Sequence, residues 1–226
     1  MRQLDAAATH QALGWAPLVR AIERTLADLA AGHVHAPERQ VLPIAPGTSW
    51  FLMPAWLAPA AGDLAAIKLV TYAADNAARG LPGILGDVLV LRASTGERLA
   101  LLDGPAVTAR RTAAVTLHAA RRLAPQPMGP LLVIGTGVQA LAHALAFTEA
   151  LGVDEVWVRG RTEASASALR RRSTSTACSP RWRPTWPRRC SAARSSSPQR
   201  RRRPCACRAG FGTTPSSPPS VPSRPG

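Results

Sequence analysis

From residue 131 the chain reads LLVIGTGVQALAHALAF: a short apolar run, a glycine-punctuated turn, and a stretch of small and aliphatic residues with no helix breaker. This strand-turn-helix pattern constrains the fold more than any other feature. Gly135, Gly137 and Ala140 stand at G-x-G-x-x-A spacing between the strand and the helix. The first glycine permits a tight turn, the second lets the backbone approach a pyrophosphate, and the small third residue lets helix and strand pack closely. Backbone N–H groups at the helix start then face the phosphate oxygens. Gly152 closes the helix, and a second strand follows through Val156 and Val158. The β-α-β order predicts a Rossmann-type dinucleotide-binding unit, with Gly135, Thr136, Gly137, Val138 and Gln139 forming the phosphate turn. The alternative is an ordinary tight strand-to-helix turn.

The end of the second strand bears on which dinucleotide is bound. A site for NADH commonly carries an acid there, which accepts from the ribose 2′-hydroxyl. Here Glu155 lies at the opposite end, and the strand finishes in Arg159-Gly160-Arg161-Thr162. Arg159, Arg161 and Thr162 are donors suited to a 2′-phosphate, which favours NADPH over NADH; otherwise they are solvated surface groups.

Upstream, GWAPLVRAIERTLADLAAGH predicts an opening amphipathic helix, with Pro17 in its first turn, Leu18, Ile22, Leu26 and Leu29 on one stripe, and Gly32 ending it. RQVLPI, SWFLMPA and AAIKLVTY read as short strands, and GDVLVLRASTGERLALLDG as a hairpin turning at Ser-Thr-Gly. AVTARRTAAVTLHAARRLA reads as a helix bridging to the nucleotide unit. The predicted class is α/β: an N-terminal α+β domain over 1–115, the first part of a Rossmann unit over 116–169, and a tail over 170–226.

The tail accounts for the charge. The chain has 226 residues and a formal charge of +15, yet fourteen arginines and no acid lie from Arg170 onward, so the body is nearly neutral. All four cysteines (Cys178, Cys190, Cys205, Cys207) are there too, at spacings that suit neither a metal site nor a disulfide framework. His10, His33, His35, His118 and His143 show no metal spacing, and each is expected on solvent or a helix face. No signal-like start and no apolar run long enough for a bilayer are present, so a cytoplasmic, non-membrane protein is expected.

Six segments, ERQVLP, LMPA, IKLVTYAADNAARGLPG, TGERLALLDG, TARRTAA and LLVIGTGVQALAHALAF, occur in order at spacing that resembles the ornithine cyclodeaminase and μ-crystallin family. The resemblance runs to about Ala168 and is strongest toward its bacterial reductases of cyclic imine 2-carboxylates. It implies a Rossmann domain inserted in a substrate and dimerisation domain, and a homodimer. It also implies a substrate-carboxylate cluster at Arg39, Lys68 and Arg111, with Thr112 near the cofactor. Guanidinium groups bind a carboxylate bidentately, and an ammonium adds a point charge. Lys68 is the informative member, because a cation inside AAIKLV is costly to bury without a partner. Many family members carry a hydroxyl residue where this chain has Gly83.

The implied activity is NAD(P)H-dependent reduction of Δ1-pyrroline-2-carboxylate or Δ1-piperideine-2-carboxylate to proline or pipecolate, expected to be impaired in this chain. Ornithine cyclodeamination with NAD, and an inactive basic protein binding nucleic acid nonspecifically, are the alternatives. The tail departs from the family as a frameshift would. In the neighbouring frame residues 195–200 permit V-V-V-T-A-T, and 213–223 permit D-D-A-F-I-A-A-V-G-A-F. That frame excludes aspartate at position 223, which favours the reductase. As translated, the Arg-, Pro- and Ser-rich tail is expected to be mostly disordered.

Overall fold

A single long helix organises the molecule. In this computed structural model, which describes residues 1–173, 181–183 and 205–208, helix α3 spans Gly104–Leu123. Asp103 starts it: the carboxylate accepts the Ala106 N–H at 2.7 Å, and Pro105 suits the first turn, where no intrahelical acceptor is needed. Ala106, Ala109, Ala113, Ala114, Leu117 and Ala120 recur at three- and four-residue intervals and are buried. With alanine at most of these positions, neighbouring elements approach the helix closely.

Before α3 come β1 (Arg2–Leu4), α1 (Ala6–Ala12), α2 (Trp15–Ala30), β2 (Val34–His35), β3 (Gln40–Ala45), β4 (Thr48–Leu57), β5 (Ala65–Ala73), a 3₁₀ segment (Ala74–Arg79), β6 (Ile84–Leu91) and β7 (Arg98–Asp103). The strands form a seven-stranded sheet in the order β1-β7-β6-β5-β4-β2, with β3 also on β4. Only β1 joins in parallel, on β7. The expected hairpin is β6–β7, with Gly96 at φ 72° in its turn. The opening helix is α2, ended at Gly32 as expected, but it is not the first element. Asp5 caps α1 by accepting the Ala8 N–H at 2.8 Å, and β1 is held by pairing with a strand almost a hundred residues away.

Directly paired residues share a sheet face. Lys68 lies opposite Met53 and Val88, and Phe51 opposite Val70, on the face toward α3. The other face carries Leu42, Trp50, Trp56, Ile67 and Leu85, all exposed, with Trp50 at 40% and Trp56 at 42%.

After α3 the chain forms β8 (Leu131–Ile134), α4 (Val138–Leu151), β9 (Glu155–Arg159) and α5 (Glu163–Ser173). Gly152 ends α4 at φ 69°, as its position in the sequence predicts. The main core lies where α2, α3 and α4 meet β8 and β9, around Trp15, Leu117, Leu131, Val133, Phe147, Val156 and Val158. No helix among the described residues is long and apolar enough to cross a membrane.

Two short pieces of the tail join the second sheet. β10 (Arg181–Arg183) pairs parallel with β9 and β11 (Cys205–Arg208) with β8, giving a four-stranded parallel sheet ordered β10-β9-β8-β11. Parallel strands present open rows of N–H and C=O groups on both edges, and pairing there needs only extended backbone. Composition alone therefore does not keep these segments out of the sheet. The frame-shifted readings at 195–200 and 213–223, with Cys178, Cys190 and Trp186, lie outside the described residues.

Candidate coenzyme and carboxylate site

The turn between β8 and α4 is built as the glycine spacing predicts. Gly135 adopts φ 122°, a value L side chains rarely take, and its N–H donates to the Arg159 carbonyl at 2.9 Å, tying the ends of β8 and β9 together. Gly137 is the N-cap of α4 and supplies no side-chain cap, so the first N–H groups of the helix have no side-chain acceptor. A Cβ placed on Gly137 would meet nothing within 4 Å. Thr136 and exposed Val138 flank it. Gln139, in the first turn, holds a buried Oε1 with no hydrogen-bond partner.

At the C-terminal end of β9, Arg159, Arg161 and Thr162 are all exposed. The Thr162 hydroxyl accepts the Ser165 N–H at 3.2 Å, in the first turn of α5, so part of its bonding capacity is already used.

Across from this turn, α3 presents Thr108, Thr112 and Thr116 at four-residue spacing, one stripe on a helix. Thr108 Oγ1 donates to the Gly104 carbonyl at 2.7 Å, and Thr116 Oγ1 to the Thr112 carbonyl at 3.1 Å. The middle threonine breaks the pattern: Thr112 Oγ1 is buried and has no partner. Buried polar atoms are normally satisfied. Two orphaned oxygens, on Thr112 and Gln139, together with open space at Gly137 and free N–H groups at the start of α4, fit a dinucleotide, whose hydroxyl, amide and phosphate groups can satisfy them.

Of the three cations expected to form a carboxylate cluster, two lie close together. Lys68, half-buried on β5, donates from Nζ to Thr108 Oγ1 at 2.5 Å. This answers how an ammonium sits in an apolar run: it leaves the sheet toward α3 and finds a hydroxyl. Burial, and then repulsion from Arg111, lower its pKa. Arg111 is exposed on its solvent side, yet the protein around it still lowers its pKa by desolvation. Lys68 and Arg111 are thus close enough to repel, and among the described residues neither forms an ion pair with a carboxylate. Arg39 precedes β3, exposed, with its guanidinium 5.7 Å from the centre of the Phe51 ring. Phe51 and Lys68 share a sheet face. Arg39 therefore lies against the sheet face that Lys68 shares. Two surface concavities, one lined by Asp5, Asp87 and Asp103 and one by the β3–β4 hairpin and Tyr72, include none of these residues in their walls.

Sequence reasoning missed Thr108, Thr116 and His143. His143 takes the second of its two expected positions, on the face of α4 that packs on α3, and is only 4% exposed there. Small residues around it let the helices close over the ring. The threonine stripe was a readable signal, since three hydroxyls on one line of a predicted helix need acceptors.

Residues 3–179 match the sequence profile of the Ornithine cyclodeaminase/mu-crystallin family. Delta(1)-pyrroline-2-carboxylate reductase 1 of Burkholderia multivorans is 47% identical over 163 residues, covering 72% of this chain and 51% of the relative. The Delta(1)-pyrroline-2-carboxylate/Delta(1)-piperideine-2-carboxylate reductase of Azospirillum brasilense is 43% identical over 165 residues, covering 73% of this chain and 52% of the relative. Among solved structures, the Thermococcus litoralis Delta(1)-pyrroline-2-carboxylate reductase in complex with NADH and L-proline superposes with a TM-score of 0.69 at 24% identity, covering 80% of this chain and 56% of that one, a likeness of fold. The chain spans about half the length of the curated relatives it matches.

Proposed function

The chain belongs to the ornithine cyclodeaminase/mu-crystallin family, and on that premise we propose that it carries the carboxylate-binding and diphosphate-binding parts of an NAD(P)H-dependent reductase of cyclic imine 2-carboxylates. One observation carries the reading: adjacent residues of α3, Arg111 and Thr112, belong to the two halves of the site. Arg111 stands beside Lys68 with no carboxylate partner, and Thr112 holds an orphaned buried hydroxyl toward which a coenzyme donor or acceptor can turn. A substrate carboxylate on one side of α3 and a coenzyme on the other would meet at this point.

The turn from Gly135 to Gln139, with Thr112, would hold NAD(P)H, whose chemistry would be hydride donation to C2 of a protonated cyclic imine, giving proline or pipecolate. The protein's own part is positional and electrostatic. Lys68 and Arg111, with Arg39 at the border, hold the carboxylate and so fix the ring carbon next to it. An anion between Lys68 and Arg111 replaces their mutual repulsion with two charge-assisted hydrogen bonds. Thr108 limits the swing of Lys68 by accepting from it while donating to Gly104. Arg159, Arg161 and the remaining capacity of Thr162 favour the 2′-phosphate of NADPH.

The same reading assigns 1–115 to substrate binding and dimerisation and 116–169 to the coenzyme, with α3 continuous through the boundary. The exposed apolar face around Trp50, Trp56 and Ile67 suits a second copy of the chain, since a patch of this kind marks an interaction surface. Sedimentation would report a dimer, and Ile67→Lys would shift it to monomer.

The decisive assay titrates NADPH and NADH into the purified chain, then adds Δ1-pyrroline-2-carboxylate and follows oxidation of the coenzyme. Binding of NADPH is expected, with formation of proline at a reduced rate. Ammonia release from ornithine without net coenzyme reduction would transfer the assignment to a cyclodeaminase, and absence of any coenzyme binding would remove it.

A further inference from the structure

His143 lies in α4 one turn after Gln139, and both of its ring nitrogens are engaged. Nδ1 is 2.7 Å from the Gln139 carbonyl, and Nε2 is 3.0 Å from Thr116 Oγ1 on α3. Thr116 Oγ1 in turn lies 3.1 Å from the Thr112 carbonyl. A carbonyl oxygen only accepts, so Nδ1 carries a proton. Burial lowers the pKa of the ring and keeps it neutral, which leaves Nε2 as an acceptor, so the single Thr116 hydroxyl proton is shared in a three-centre bond between Nε2 and the Thr112 carbonyl.

The two ends of this bridge are notable. It runs from the backbone of Gln139 to the backbone of Thr112, and these two residues hold the unpartnered buried side-chain oxygens Oε1 and Oγ1. A histidine whose only role was to fill space would not need polar contacts on both nitrogens. A buried ring between alanine-rich helices could be aliphatic at less cost, because burying polar atoms is unfavourable unless each is satisfied.

We propose that His143 and Thr116 are positioning residues, which set the spacing between the coenzyme turn of α4 and the carboxylate-binding segment of α3 by fixing Gln139 relative to Thr112. The inference rests on reading that turn as the coenzyme site. It predicts that the bridge acts on the coupling between the two ligands more than on either ligand alone. With the bridge intact, a carboxylate ligand held by Lys68 and Arg111 stabilises the α3 position that a bound coenzyme also uses, so each ligand tightens the other.

The experiment compares the full chain with Thr116→Val, which keeps shape and removes the hydroxyl, Thr116→Ser, which restores it, and His143→Phe. Circular dichroism and melting confirm folding. The NADPH dissociation constant is measured by fluorescence without and with saturating L-proline as the carboxylate probe, and the His143 ring nitrogens are observed by ¹⁵N NMR. In the wild-type chain L-proline tightens NADPH and the ring is the Nδ1–H tautomer. Thr116→Val moves the Nε2 resonance and weakens NADPH binding in the presence of L-proline by about tenfold, the range expected when a buried acceptor loses its donor. Without L-proline its binding changes less than about threefold, and Thr116→Ser recovers the coupling. A folded Thr116→Val or His143→Phe protein with unchanged coupling overturns the positioning role while leaving the coenzyme site in place. A wild-type chain that binds no NADPH overturns the functional reading itself.

Discussion

Replacing Lys68 by methionine separates the cost of the site to the fold from its value to the ligand. Without ligand, the half-buried ammonium donates one hydrogen bond to Thr108 at 2.5 Å and faces desolvation and the Arg111 charge. A hydrogen bond to a charged group contributes about 1.5–3 kcal/mol. The lowered pKa shows that the opposing effects outweigh it. Thr108 is not orphaned by the change, because its hydroxyl still donates to Gly104. Lys68→Met is therefore expected to leave stability unchanged or raise it by up to about 1 kcal/mol, a small gain because water still screens the partly exposed head. The effect depends on pH. The folded pKa lies below the ordinary 10.5, so between the two values the unfolded chain binds more protons, and wild-type stability rises with pH. The penalty is complete below the folded pKa and gone above 10.5, so the advantage of methionine shrinks toward high pH. Carboxylate binding moves the opposite way, weakening by about 10- to 150-fold for the loss of one charge-assisted contact. Urea unfolding near neutral pH and near pH 10, with L-proline titrations into the NADPH-loaded chain, measures both. A stability loss above about 1 kcal/mol, or unchanged L-proline affinity, would refute the reasoning.

The remaining predictions test other parts of the structure. Gly137→Val is expected to leave melting nearly unchanged, because nothing lies within 4 Å of the new Cβ, while weakening NADPH binding by at least about tenfold. Gly104→Ala should do the reverse and destabilise the fold, since its Cβ would fall 2.5 Å from the Gly86 carbonyl oxygen; melting curves of the pair decide the contrast. Joint replacement of Arg159 and Arg161 by alanine is expected to erase a preference for NADPH over NADH, read from the ratio of dissociation constants, with melting unaffected because both are exposed. Trp15→Phe removes the indole bond to Glu149 at 2.8 Å and weakens the stacking of Arg110 4.1 Å above the ring, costing about 1–3 kcal/mol in denaturant unfolding.

Local pattern carried much of the fold. β8, α4 and β9 were readable because an apolar run, a glycine turn and a closing glycine follow one another without a gap, and β6–β7 because a glycine turn separates two alternating runs. β1 was not, since three residues show no period and their partner β7 is remote in sequence. Lys68 stood out as a charge among aliphatics, but its partner Thr108 depends on how β5 packs on α3, which no local pattern encodes. The same holds for His143, whose ring is defined by contacts on two helices. β10 and β11 escaped notice because edge pairing rewards backbone rather than side chains, so composition was a poor guide to them.

The alanines of α3 have an evolutionary consequence. At Ala113 and Ala114 no surface is left open, and the residue there is already close to the smallest available. A single added methylene would wedge α4 or α2 outward and shift both ligand regions at once. On the proposed reading, descendants that accept a bulkier acid would have to find the room on the β4–β5 side, where Met53 and Val70 share the face of Lys68, because the helical wall has nothing further to give up.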